Sequence, residues 1–167
     1  MQKSALALVL YMPALVVSAG FLSDEPTEAW VEGEVTFPES SIPVSPREFF
    51  VSSASPNIFM VDENSITVSP DGAVRYILLV ETQGGARTVT FEGVHCATWR
   101  VRIYATGRDD GTWSMLRNSE WEPIRNNAYN RMRYALAAES FCDALAPPRN
   151  RDEVLQRLRT KGFGNTP

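Results

Sequence analysis

Histidine and lysine are almost missing from these 167 residues: one His, His95, and two Lys, Lys3 and Lys161. A single histidine excludes a multi-histidine metal site, and a Ser-His-Asp triad would have to be built on His95. No serine sits in a G-x-S-x-G elbow. His95 therefore reads as a partly exposed histidine at a strand end. Phosphate-cradling loops of the G-x-x-x-x-G-K-[ST] or G-x-G-x-x-G kind are also missing, so no nucleotide or other cofactor is expected. Cysteine is scarce too. Cys96 and Cys142 lie 46 residues apart, without the C-x-x-C spacing of a metal or redox site, and are expected to form one structural disulfide. Closing a loop of that length is worth about 4 kcal/mol in the chain-entropy model.

Long apolar runs are missing as well. The longest, Ala5–Val17, has 13 residues and carries Pro13, short of the ~20 that a membrane-spanning helix needs. It follows Lys3, the only charge in the first 23 residues, and leads into Val17-Ser18-Ala19. A basic start, a short apolar stretch and small residues at the exit make residues 1–19 a cleavable signal peptide, cut after Ala19. No cysteine lies near the cut, which argues against a lipid anchor. The expected location is the periplasm, an oxidising compartment that suits the disulfide.

Removing Lys3 with the leader leaves 15 basic residues, 14 of them Arg, against 20 acidic ones. A net acidic domain is a poor binder of nucleic acid, which needs a basic surface. The charge is uneven: residues 20–48 hold seven acids and one Arg, whereas residues 99–133 hold seven Arg and four acids.

Residues 20–48 read as an acidic, proline-containing arm. Asp24, Glu25, Pro26, Glu28, Glu32 and Glu34 surround Trp30, and Pro38, Pro43 and Pro46 break any helix. The arm either packs through Trp30 and Phe37 or stays mobile. Residues 49–146 form the main domain. Strands are expected at 57–62, 65–69, 73–82, 87–94, 98–105 and 112–116, separated by Pro70-Asp71-Gly72, Gln83-Gly84-Gly85-Ala86 and a turn at 107–111. Alternation sets the faces. Val74, Tyr76, Leu78 and Val80 oppose Arg75, Ile77, Leu79 and Glu81. Val89, Phe91 and Gly93 oppose Thr88, Thr90 and Glu92. Trp99, Val101, Ile103 and Ala105 oppose Arg100, Arg102 and Tyr104. A helix comes next, with Tyr129, Met132 and Leu136 on one side and Asn126 or Asn127 as its cap. Residues 147–167 form a short helix capped by Asn150, ending at Gly162 and Gly164, and a tail. The fold class is α+β: one domain, an antiparallel meander of about five to six strands with C-terminal helices packed on it.

Three groups of residues are site candidates. Arg100, Arg102, Arg131 and Arg133, with Arg87 and Arg125 nearby, would suit an anion if they converge, since the guanidinium fork matches carboxylate and phosphate. The plainer reading is a solvated sheet face paired with Glu81 and Glu92. Trp99, Trp113 and Trp121 fall within 23 residues and form either an aromatic platform or part of the core. Asp62-Glu63, Asp109-Asp110 and Glu120/Glu122 are the carboxylate pairs; Asp109-Asp110-Gly111 reads first as a turn.

The stretch FEGVHCATWRVRIYATGRDDGTW, with Val74-Arg75-Tyr76, Tyr104-Ala105-x-Gly107, Asp110-Gly111-x-Trp113, the Trp121 segment and Phe141-Cys142, resembles the CNP-one-like family of exported proteins of Gram-negative bacteria. The resemblance runs from Phe50 to Cys142. It implies a small envelope domain and supplies no catalytic residue, ligand or cofactor. Three functions are weighed: a non-enzymatic periplasmic domain that binds an envelope protein or small ligand; a binder of an anionic small molecule through the Arg-rich sheet face; and a small cell-wall hydrolase using paired carboxylates beside the Trp residues.

Overall fold

The computed structural model describes residues 29–161. The leader and cleavage site expected at 1–19, the acids Asp24, Glu25 and Glu28 with Pro26, and the helix-ending Gly162 and Gly164 lie outside the described residues. The chain divides into a unit of residues 1–30, which includes Trp30, and a unit from Val31 onward. Every described strand and helix belongs to the second.

Alternation of apolar and polar residues produces strands where it was expected, with two additions. The strands are β1 (Pro46–Glu48), β2 (Ile58–Asp62), β3 (Thr67–Val68), β4 (Ala73–Glu81), β5 (Arg87–His95), β6 (Arg100–Gly107), β7 (Trp113–Met115) and β8 (Glu122–Pro123). They form one antiparallel sheet of order β1-β2-β4-β5-β6-β7. β3 shares the β2 edge of β4, and β8 shares the β7 edge of β6. β1 and β8 are the additions; each is too short to show a period.

β4 and β5 pair in unbroken register from Ala73↔His95 to Glu81↔Arg87. Gly72 and Gly85, both at positive φ, close the hairpins on either side of β4. Between β5 and β6 the register slips: Phe91 faces Ala105 and Glu92 faces Ile103. Tyr104 is the extra residue of a β-bulge, a device that re-aims a side chain.

Both faces of the sheet are covered. On one, Val74, Tyr76, Leu78, Val94 and Val101 pack against α1 (Arg131–Leu136), a π-helical turn (Ala137–Phe141) and α2 (Arg151–Lys161), which contribute Leu136, Phe141, Val154 and Leu158. Asn150 caps α2, accepting a bond from the Glu153 amide. The Cys96–Cys142 disulfide ties the end of the π turn to the end of β5. On the other face, Ile77, Phe91 and Tyr104 pack against Val35 and Phe37 of the arm, with Trp113 and Trp121 at the margin. The first seven residues of β4 are consequently all buried, where alternation alone suggests one covered face.

Two local expectations are corrected. Tyr129 is exposed, not part of a helix's apolar side, because α1 begins only at Arg131. Asn127 instead caps the preceding turn, accepting bonds from the Tyr129 and Asn130 amides. His95 is 5% exposed; its ring contacts Trp121 edge-on and its Nδ1 bonds Thr98 Oγ1.

Candidate functional site

The four arginines singled out from the sequence fall in three places. Arg102 lies on the arm face. Its guanidinium bonds a Glu32 carboxylate oxygen, and its Nε donates to Ser119 Oγ. Arg100, on the same strand, donates to the Trp121 carbonyl. Arg133 crosses from α1 to the helix face, where it makes a two-pronged bond to Glu92 at 2.8 and 2.6 Å. Arg131 opens onto a groove. The three tryptophans are also divided. Trp99, at the left-handed φ of 51°, packs edge-on against Tyr134 on the helix side. Trp113 and Trp121 flank the arm on the other side, and the Trp113 indole donates to the Pro38 carbonyl. All three are half-buried.

The carboxylate pairs have local partners. Asp62 Oδ1 accepts bonds from the Val44 and Ser45 amides, and Glu63 pairs with Arg47. Asp110 accepts from Thr112 in a turn closed by Gly111 at positive φ. Glu120 and Glu122 line a cavity of only about 120 Å³ beside Arg133, below the usual range for ligand pockets. Of the expected cross-strand pairs, Arg87–Glu81 forms at 2.8 Å.

Two buried carboxylates organise the sheet. Glu92 is fully buried and accepts from Thr90 Oγ1, Tyr76 OH and both prongs of Arg133. Burial pushes the Tyr76 hydroxyl well up, and the neighbouring Glu92 charge adds to it. Burial works against the Arg133 charge, but Glu92 holds it more firmly protonated than usual.

On the opposite face, Glu32 reaches in from the arm. Its Oε1 accepts from Tyr104 OH at 2.6 Å and from Arg75 Nη2 at 3.2 Å; its Oε2 accepts from Trp121 Nε1 at 3.1 Å and from Arg102. Arg75 also pairs with Asp71 at 2.7 Å and donates from Nε to Tyr104 OH. Burial alone would raise the Glu32 carboxyl; the bonds from Tyr104, Trp121 and Arg75, with the charge of Arg102, hold it below the ordinary range. Arg75, essential to this cluster, was not among the candidates. The available signal was a charge amid Ile77 and Leu79 on one face of a strand, since a buried charge demands a partner.

A broad opening lies on the helix side. Phe49, Phe50 and Val51, between β1 and β2, face Arg131, Tyr134 and Glu139 across a groove of about 550 Å³. A second hollow of about 240 Å³ shares Val51 and Arg131 and extends to Pro56 and Met132. The π turn shapes the first. The Cys142 amide bonds the Ala137 carbonyl five residues back, so one extra residue is accommodated. An extra residue rotates the downstream side chains by about 100° relative to an α-helix. Leu136, Ala137 and Phe141 stay in the core while Glu139 and Ser140 line the groove. Such turns recur at functional sites. Arg131 bonds Ser52 Oγ at 3.4 Å and, among the described residues, has no carboxylate partner.

No helix of the described residues is long and apolar enough to cross a membrane. An open antiparallel sheet, covered by an arm on one face and by disulfide-pinned C-terminal helices on the other, defines a single-domain α+β protein. The CNP1-like family model matches residues 25–159, and the chain belongs to that family. It is 28% identical over 118 residues to Cryptic neisserial protein 1 of Neisseria gonorrhoeae. The match covers 61% of this chain and 56% of that relative, so it spans little more than half the relative's length. No solved structure matches it.

Proposed function

We propose that this chain is an exported envelope protein that acts by binding, and that the groove between residues 49–52 and the α1–π segment takes a small apolar ligand with an anionic head. The groove carries this reading. Its volume falls within the usual range for ligand pockets. Its walls offer aromatic and aliphatic carbon from Phe49, Phe50, Val51 and Tyr134, and its one arginine, Arg131, makes no salt bridge among the described residues, Glu139 of the same lining included. The guanidinium of Arg131 supplies the charge-assisted bonds that fix such a head.

Export rests on the leader at residues 1–19. It is supported by the Cys96–Cys142 disulfide, which persists in an oxidising compartment. Amino-terminal sequencing of the protein recovered from the periplasm of a Gram-negative host is expected to begin at Gly20. A chain retained in the cytoplasm with its leader intact would refute export.

Anilinonaphthalene sulfonate, an aromatic body with a sulfonate head, is a direct probe of the groove. The folded, oxidised protein should bind it saturably, with fluorescence enhancement. Ala135→Trp should fill the groove and abolish binding, and Arg131→Ala should weaken it about tenfold, the loss of one charge-assisted bond. Binding that neither substitution changes would sink the reading.

A further inference from the structure

The groove makes no use of the cradle around Glu32. Four donors from two strands, β4 and β6, and the loop before β8 converge there on one carboxylate, two on each oxygen: Tyr104 OH and Arg75 on Oε1, Trp121 Nε1 and Arg102 on Oε2. The Arg75 and Arg102 guanidiniums also lie 5.9 and 5.2 Å from the centre of the Tyr104 ring. Three of the four donors are positioned by something besides Glu32: Arg75 by Asp71, Tyr104 by the bulge, Arg102 by Ser119. Sites that hold carboxylate ligands are built in this way.

The carboxylate that fills the cradle arrives on an extended segment. Val35 and Phe37, three and five residues further on, join the Ile77–Phe91–Tyr104 cluster, and the Phe37 ring lies 4.9 Å from that of Phe91. Between Val31 and Ser40, the described residues make no backbone-to-backbone hydrogen bond to the sheet. The segment is held by the Glu32 side chain, the Gly33 amide on Asp71, the apolar plugs and the Trp113 indole on the Pro38 carbonyl. A charged anchor with two apolar plugs is how a peptide ligand is bound; here the ligand is tethered.

We propose that the cradle is a recognition site for an extended acidic peptide of a partner protein, with Glu followed at +3 and +5 by apolar side chains, and that residues 32–37 are its tethered occupant. When the arm leaves, Asp71 still neutralises Arg75, whereas Arg102 loses its carboxylate. The vacated cradle then carries one net positive charge and calls for an anion. This site and the groove share no residue, so either reading stands or falls alone.

A labelled peptide of residues 29–40 is the probe, together with the same peptide carrying Gln in place of its Glu32. A tethered arm competes at an effective concentration of roughly millimolar. The Glu32→Gln protein should therefore bind the labelled peptide at least tenfold more tightly than the wild type does. The Gln-containing peptide should bind that protein at least tenfold more weakly than the Glu-containing one. Adding Arg102→Ala should remove binding, and adding Arg125→Ala, an exposed site away from the cradle, should not. Equal binding of the two peptides, or indifference to Arg102→Ala, overturns the proposal. A Glu32→Gln protein that fails to fold also overturns it, because the cradle would then not exist apart from the arm. In the wild type, hydrogen exchange at the Gly33 amide should be at least 100-fold faster than at central β4 amides; equal protection counts against an arm that leaves.

Discussion

Gly93 carries more of the arm-face architecture than its size suggests. A Cβ there would lie 2.6 Å from the Tyr104 hydroxyl oxygen and 3.1 Å from the Trp121 ring. A hydroxyl at the end of a free side chain could move aside. This one is fixed by Arg75 and Glu32, and Trp121 is fixed by Glu32 as well. Gly93→Ala should therefore act as overpacking and cost about 1–3 kcal/mol, read as a lower midpoint in denaturant. The cost should shrink in a Tyr104→Phe background, where the nearest atom is gone; an unchanged cost in that background would refute the assignment to Tyr104. Glu92 is a second residue whose neighbours matter more than its own type. Its three kinds of donor come from β4, β5 and α1, so a fully buried carboxylate fixes the position of a helix on the sheet.

At the scale of elements, the sequence made the long strands legible and left the rest obscure for physical reasons. β4, β5 and β6 alternate over eight or nine residues, enough to set faces, and those faces are observed in β4, in β5 and in β6 as far as Tyr104. Beyond the bulge Ala105 pairs with Phe91 and lies on the arm face rather than with Val101 and Ile103, because an extra residue carries no signal in the alternation. β1 and β8 have three and two residues, and a period of two cannot be read from them. The π turn has no sequence signature, because its extra residue is set by what packs against Leu136 and Phe141 rather than by local preference. The pairing of Glu32 with Arg75 spans 43 residues, beyond any periodicity; only the misplaced charge on β4 hinted at it. The disulfide was legible because only two cysteines exist, and it clasps the π turn to the end of the unbroken β4–β5 hairpin. Cys142→Ser should lower stability by about 4 kcal/mol and loosen the π turn first. Comparing thermal unfolding of this variant with the wild type, each with and without reductant, checks it. A wild-type protein that melts identically in both conditions would show the clasp to be idle.

At the scale of the whole molecule, the arm couples stability to pH. Burial raises the carboxyls of both Glu32 and Asp71. Their bonds outweigh it: Tyr104, Trp121 and Arg75 on Glu32; Arg75, Ala73 and Gly33 on Asp71. Both are held below their ordinary values of 4.5 and 3.8. Groups with depressed native values bind protons more readily when unfolded, so their stabilisation is fully present above those ordinary values. It is lost as pH falls through the lower native ones. His95 acts in the same direction at higher pH. Burial outweighs the opposing charge of Asp71 and depresses its ring below 6.5, so that contribution fades first as the solution is acidified. Stability should therefore decline in two stages on acidification, one beginning below about pH 6.5 and the other below about pH 4.5. Glu32→Gln should flatten only the second stage, and the exchange of the Gly33 amide should quicken there in the wild type. If Glu32→Gln leaves the acid limb of the melting curve as steep as before, the charge on Glu32 does not hold the arm, and the grip belongs to Val35, Phe37 and the bonds at Gly33 and Pro38.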